Sequence, residues 1–456
     1  MRSHSLWLGL SILLVGCGDS AASGAADGDG GGGADIGGAS SGGGGDGGNP
    51  GGGGSGAAGG TGGAMAGNPH PLYPALDLDT LPGDGGAVSG PYEPPMLPTT
   101  TNVVTVAVTG TAARDALESA CGTPGTAVEV PSSAGAIGVV NIGNMEDCDI
   151  TLGEGVVVEF MVVGSLVGPM HAPAHRIRIR GGQLGGLFVI GGSSDIVFDG
   201  VAINNGAVPS AVRSSTAIYM PEGPTPGVDI VERFAVVNSF IRMVAVDAGG
   251  GNFDGTAYLA GNARNVFFAN NNIVTAGNRN SWGFRLSGGD NTLIVDNTAR
   301  VSFHKLVRMN DAPVDYVYIK NGVWMREATL TSGGMLINDS FTQLSGSTTD
   351  RVYVHDPEVH LLPDSGVTFG ASFDPAQAGR IWEARNIAWH ALGPQVVEDA
   401  GLQSLQDSCT DLGGLCDYGV GTHTYNYNPA LQLPTDPWRD LPTFADDDPD
   451  NLPVLP

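Results

Sequence analysis

The sequence predicts an all-β solenoid of parallel strands, and three observations predict it. First, one short pattern keeps returning between His175 and Asn338. It is seen in Asp195-Ile-Val-Phe-Asp-Gly-Val201, Phe234-Ala-Val-Val-Asn-Ser-Phe240, Asn265-Val-Phe-Phe-Ala-Asn-Asn271, Asn291-Thr-Leu-Ile-Val-Asp-Asn297 and Asp315-Tyr-Val-Tyr-Ile-Lys-Asn321. Each is a run of β-branched and aromatic residues with period-two alternation, closed by Asp, Asn, Ser or Gly. Second, with Ile196, Phe234, Val266, Leu293 and Val317 taken as equivalent, the spacings are 38, 32, 27 and 24 residues, a drifting repeat of one strand-bearing unit. Third, no Asn-Gly or Asp-Gly pair falls between adjacent alternating runs at hairpin distance, which argues against a sandwich.

The length of the unit narrows the architecture. About 22–27 residues per turn accommodates three strands of about 4–5 residues and three corners, at about 3.3 Å of rise per strand residue. A leucine-rich repeat has similar length but needs a leucine ladder, which is missing. Asn238, Asn270, Asn297 and Asn321 recur just after the strand. They either stack as a ladder of side-chain amides at a left-handed corner or are ordinary turn residues.

This pattern resembles the right-handed parallel β-helix of the pectate-lyase-like superfamily over residues 101–395. The entrance adds to the resemblance. Thr111-Ala-Ala-Arg-Asp-Ala-Leu-Glu-Ser-Ala120 reads as an amphipathic helix capped by Thr111, followed by a turn and a strand through Pro131. Many members of that superfamily begin with a helix that plugs the open end of the first coil. A shared fold carries no activity with it.

Around this domain the chain divides further. Residues 1–16 hold Arg2 and the apolar run Leu6 to Val15, ending in Leu14-Val-Gly-Cys17, which resembles a bacterial lipoprotein signal. That resemblance implies lipidation of Cys17, membrane attachment through the acyl chains and, with Gly18 rather than Asp next, the outer membrane. The competing reading is an ordinary secretory signal cleaved elsewhere. Residues 17–100 are Gly-rich with almost no large apolar residues before Leu72, and so form a disordered tether. Leu72 to Pro98 has enough Leu, Tyr and Pro to lie against the folded domain. Residues 396–456 are a C-terminal cap and Pro/Asp-rich tail. Arg351-Val-Tyr-Val-His-Asp356 and Arg380-Ile-Trp-Glu-Ala-Arg-Asn386 read as two more coils, with Trp382 and Trp389 covering the far end.

In an exported chain thiols oxidise. Four cysteines other than Cys17 pair most simply by neighbourhood, Cys121 with Cys148 and Cys409 with Cys416. A zinc site is the rival reading, but no Cys-x-x-Cys exists. The net charge of -27 is unevenly spread: residues 171–326 hold 12 Arg and 2 Lys against 11 acidic residues, leaving 6 basic and 36 acidic residues elsewhere. Charge and export together argue against nucleic acid. Phosphate-loop, His-Glu-x-x-His and Gly-x-Ser-x-Gly motifs are missing. The chain is expected to be a monomer.

The locally basic middle holds the candidate site. Tyr258, Arg285 and Arg308 lie eight, eight and nine residues before the strand anchors Val266, Leu293 and Val317, which stacks them on successive coils. Phe284 and Leu286 flank Arg285, as Val307 and Met309 flank Arg308, so alternation turns the arginines outward. Trp282, His304, Lys305 and Asn310 lie near the same edge. Aromatic rings beside fixed donors on a flat sheet suit a polysaccharide. The structural alternative pairs the arginines with Asp290 or Asp311, puts Trp282 in the core and makes His304 a satisfied corner residue.

Relatives on this fold imply tests for catalysis. The aspartate cluster of polygalacturonase-like hydrolases is missing, because the adjacent aspartates Asp446-Asp-Asp448 lie in the tail. Calcium of the pectate-lyase type has only Asp247 and Asp254 to hold it, so no cofactor is expected and calcium is the single candidate. Phe284-Arg-Leu286 resembles the arginine coil of alginate and chondroitin-B lyases, but the matching lysine position carries Tyr258-Leu-Ala-Gly. Two functions therefore stand: a carbohydrate-binding or structural surface protein without catalysis, and a lyase-like enzyme cleaving an acidic polysaccharide with Tyr258, Arg285, Lys305 and Arg308 as its chemistry.

Overall fold

The computed structural model describes the chain from Glu93 to Tyr427 with breaks: continuously over 93–165 and 172–209, then largely strand by strand. Residues 1–92 and 428–456 lie outside it, and with them Cys17.

Parallel strands stack in three ladders that the chain visits in turn, here faces A, B and C. Face A runs through His175–Leu184, Ser194–Asp199, Val231–Val237, Ala263–Ala269, Gly289–Val295 and Val314–Lys320. Face B runs through Ala202–Asn204, Phe240–Met243, Asn272–Thr275, Thr298–Val301 and Val323–Arg326. Face C runs through Leu187–Val189, Thr216–Met220, Asn252–Ala260, Asn280–Leu286, Lys305–Met309 and Met335–Asp339. Together they make one large parallel sheet that curls through 303°. Only β-strand pairing between successive coils allows this, since a parallel neighbour needs a long connection and here the other two faces supply it. Among the described strands, Val246–Gly249 departs by running antiparallel to Asn252–Ala260. Pairing continues through Arg351–His355 and Ile381–Arg385 to Leu415–Val420, and on face B to Thr424–Tyr427. Both last strands lie beyond residue 395, within the span that the sequence assigns to the C-terminal cap and tail.

The expected anchors need one correction. Ile196, Phe234, Val266 and Val317 share a register, but the residue between the last two is Thr292, not Leu293. Thr292 faces inward and is buried, whereas Leu293 belongs to the outer surface of face A. A buried threonine in an apolar column is invisible to a rule that seeks apolar anchors.

Inside, alternation fills the coils. Face A contributes Ile179, Phe198, Val236, Phe268, Ile294 and Ile319; face B contributes Ile203, Ile241, Ile273, Ala299 and Trp324; face C contributes Ile218, Tyr258, Phe284 and Val307. The aromatics meet at Tyr258–Phe268 (4.7 Å between centroids), Phe268–Phe284 (5.0 Å) and Phe284–Trp324 (6.2 Å). Each such ring, fully buried, stabilises by about 1.5–3 kcal/mol.

Corners are set by residues that tolerate positive φ. The A-to-B corner stacks Gly200, Asn238, Asn270, Asp296 and Asn321, all with φ between 53° and 62°. The Asn270 amide donates to Asn238 Oδ1 (2.9 Å), and Asn321 donates to Asp296 Oδ1 (2.7 Å). Asn297 is therefore not in this ladder. It belongs to a second one directly behind, with Ser239 and Asn271, both 0% exposed. The Asn271 amide reaches Val236 O and Asn297 Oδ1, and its Oδ1 accepts the Ser239 N–H.

The helix forms over Thr111–Cys121, with Ala113, Leu117 and Cys121 buried and no side-chain cap. Its N-cap is Gly110 (φ 59°, ψ -141°), so Thr111 is the first helical residue rather than the cap. That backbone conformation favours glycine. Cys121 is bonded to Cys148, Cα atoms 5.3 Å apart, across a separation of 27 residues. Cys409 lies outside the described residues, as does the side chain of Cys416.

At the start of face A a second column of positive φ stacks Asp147, Arg176, Asp195, Arg233, Asn265 and Asn291. Arg176 Nε donates to Asp147 (2.7 Å) and Arg233 Nε to Asp195 (2.6 Å). The segment 93–99 lies along this column. The amides of Glu93, Met96 and Thr99 donate to side-chain oxygens of Asn265 (3.2 Å), Asp195 (3.0 Å) and Asp147 (3.4 Å). Three residues of polyproline-type chain advance about 9.3 Å, close to two strand spacings of about 4.8 Å. The sequence Glu93-Pro-Pro-Met-Leu-Pro-Thr99 thus places an N–H beside every second coil, and those coils carry the oxygens while arginines occupy the coils between.

Candidate functional site

Face C carries one column of successive register partners along the stack: Val162, Phe188, Tyr219, Leu259, Arg285, Arg308 and Asn338, with the side chains of Leu259, Arg308 and Asn338 outside the described residues. Inward residues bracket its members, as Leu187 and Val189 bracket Phe188, and Ile218 and Met220 bracket Tyr219. Phe188, Tyr219 and Arg285 are all half-buried. Phe188 packs edge-on against Phe160 (4.6 Å) and Tyr219 (5.6 Å), so an aromatic strip leads up to the arginine positions. Between aromatic strip and arginines there is one coil, that of Leu259.

The register places Arg285 opposite Arg308, on strands about 4.8 Å apart. Tyr258 is not their neighbour. It pairs with Ile218 below and Phe284 above, points into the core, is 0% exposed and sets its hydroxyl 3.6 Å from Met220 Sδ. Burial pushes that hydroxyl well above the usual phenol range. The physical reason for the correction is parity: counting from Leu293 rather than Thr292 slips the register by one, and a slip of one exchanges inside for outside. Leu259 is the true neighbour of Arg285. With Tyr258 leaves the only base that the preceding coil had offered.

Trp282 pairs with Lys305 along the backbone, two strands' worth of the same edge. The side chains of Trp282, Lys305 and Arg308 lie outside the described residues, and so do His304 and Asn310 entirely. Asp290, one proposed partner for Arg285, instead takes Arg264 at 3.3 Å on face A. For calcium, Asp247 and Asp254 sit on the antiparallel pair of face C, with side chains outside the described residues. Among the described residues no three His, Cys, Asp or Glu side chains gather as metal ligands.

Phe160, Phe188 and Tyr219 escaped the sequence reading, yet their signal was available. The triplets Leu187-Phe-Val189, Ile218-Tyr-Met220 and Phe284-Arg-Leu286 share an apolar–X–apolar form, with X half-buried between two buried residues each time. Compared with known proteins, the chain finds no counterpart: no family model, no curated protein and no solved structure matches it.

Proposed function

We propose that this chain is a cell-envelope lipoprotein whose domain is a right-handed parallel β-helix of the pectate-lyase-like type, plugged at its first coil by the helix Thr111–Cys121, and that face C binds an acidic polysaccharide without cleaving it. One observation carries the reading: the face C column in which the half-buried Phe188 and Tyr219 lead to the register-paired positions Arg285 and Arg308. Half-buried rings offer apolar platforms for sugar faces, and guanidinium groups pair bidentately with uronate or sulfate. Lipidation at Cys17 and the tether 17–100 put this face at a membrane surface, on the outer membrane in the reading that Gly18 favours.

Binding without turnover follows from the placement of Tyr258. β-Elimination needs a base within reach of the proton beside the uronate. A phenol sealed in the core, with its ionisation suppressed by burial, cannot serve. Lys305 is the remaining base of the lyase alternative.

The test uses alginate, pectate and a glycosaminoglycan. Arg285→Ala and Arg308→Ala should each weaken binding several-fold, and wild-type binding should fall with salt. Growth of the ultraviolet absorbance of unsaturated uronates, abolished in Lys305→Ala, would replace this reading by the lyase. No binding to any of the three at low salt sinks the glycan assignment itself.

A further inference from the structure

Along the start of face A, Asp147, Asp195 and Asn265 place an oxygen acceptor on every second coil, about 9.6 Å apart, with Arg176 and Arg233 on the coils between. Such a spacing suits one backbone conformation. A polyproline helix repeats every three residues and rises about 9.3 Å as it does so, which presents one N–H per turn along a single edge. Glu93, Met96 and Thr99 follow that period, and each amide meets one of the three acceptors. The positions without an N–H, Pro94, Pro95 and Pro98, all fall between acceptors. Pro95 is buried, and Leu97 and Pro98 are half-buried. Leu97 packs on an apolar cluster of face A that includes Val197, Ala235 and Phe267.

The column is complete without this strap. Arg176 Nε and Nη2 hold Asp147 at 2.7 and 3.0 Å, and Arg233 Nε and Nη2 hold Asp195 at 2.6 and 3.1 Å. Both carboxylates are therefore paired and oriented whether or not an amide approaches them. The strap, by contrast, is held lightly. Its three bonds measure 3.2, 3.0 and 3.4 Å, so the two outer ones are long for N–H donors. The Arg233–Glu93 ion pair spans 3.6 Å, with the Glu93 side chain 66% exposed. Met96 gives the column its amide while the residue as a whole is 52% exposed. The groove thus reads backbone and proline, with one apolar residue after the central amide.

We infer that this column is a docking groove for proline-rich polypeptide, that Glu93–Thr99 is its built-in occupant, and that a proline-rich segment of a second polypeptide takes the groove by displacing it. The recognised pattern is an N–H at every third residue, prolines between, and a leucine-sized side chain next to the central donor. The groove is separate from the column of face C and needs no glycan.

A labelled peptide with the sequence of residues 93–99 tests this on the full chain, beside a control peptide with proline in place of its methionine. Met96→Pro in the protein deletes the central donor, in a conformation that proline and a residue preceding proline both accept. The variant should bind the peptide several-fold more tightly than the wild type, because its own strap competes less. The control peptide should bind the variant several-fold more weakly than its parent does. In the wild type, saturating peptide should speed hydrogen exchange of the Met96 and Thr99 amides and leave Leu187–Val189 unchanged, a readout that stands even where the variant misfolds. Equal affinity of variant and wild type, equal binding of the two peptides, or strap amides that ignore the peptide each overturn the proposal and make the strap a fixed part of the fold.

Discussion

Asn271→Ala is the perturbation that best tests how the coils are held. The Asn271 side chain is 0% exposed and makes three contacts: its amide donates to Val236 O (2.8 Å) and Asn297 Oδ1 (2.9 Å), and its Oδ1 accepts the Ser239 N–H (2.9 Å). Truncation strands the Ser239 amide in the core, at about 1–3 kcal/mol, and removes two more bonds worth about 1 kcal/mol each. Asn297 Oδ1 keeps its bond from the Asn271 backbone, so the loss does not spread along the ladder. The expected cost is about 3–5 kcal/mol. Asn270→Gly, one residue earlier, is the control. It removes a single side-chain bond to Asn238, while glycine relieves a φ of 54° that a side chain tolerates poorly. Its expected cost is about 0–1 kcal/mol. Urea unfolding with exchange of the Ser239 amide as a local probe measures both. If Asn271→Ala costs no more than Asn270→Gly, the buried ladder is decoration and the argument from stranded donors fails.

Two further outcomes follow from contacts already described. Replacing Cys121 and Cys148 by serine should destabilise the first coils by about 2–4 kcal/mol, read as a lower urea midpoint in non-reducing buffer. On face A, the buried Asp195 and the half-buried Asp199 respond to pH with opposite sign. Burial alone would raise Asp195, but hydrogen bonds from Arg233, the Met96 amide and Ser194 bring it below its ordinary value. Its folded pKa is the lower one, so its stabilisation is present above the unfolded carboxylate value of about 3.9 and lost as pH falls through the folded value. Burial raises Asp199 despite its bond from Asn238, so its contribution is complete at acid pH and lost as pH rises through the raised value. At pH 7, Asp195→Asn should therefore lower the thermal midpoint and Asp199→Asn should not; equal losses would refute the assignment.

The parts of the fold that the sequence disclosed are those with a local signature. Period-two runs mark strands whatever surrounds them, and Asn238, Asn270 and Asn321 mark corners because only a few residue types accept positive φ. Cys121 and Cys148 met as expected because each lies on an element whose place was fixed by such runs. Register was the weak point. Coils take 38 residues between Asp195 and Arg233, 32 between Asn238 and Asn270, 26 between Asn265 and Asn291, and 25 between Asp296 and Asn321. With no constant period, each alignment rested on one residue type, and Thr292 and Asp296 broke it at both ends of a single strand.

That slip explains why Tyr258 was misplaced, whereas Arg285 is half-buried between the buried Phe284 and Leu286. Arg285 and Arg308 were oriented by their immediate neighbours, a test internal to one strand that needs no knowledge of the next coil. Tyr258 was oriented by counting between coils. Applied to its own strand, the internal test gives the other answer, since Tyr258 and Ala260 share a parity and both are buried. The same test carried down the chain finds Tyr219 and Phe188, and with them the aromatic half of the column. In a solenoid of irregular coils, parity within a strand is thus stronger evidence for a surface than spacing between strands, because the pleat is fixed by covalent geometry and the loops are not.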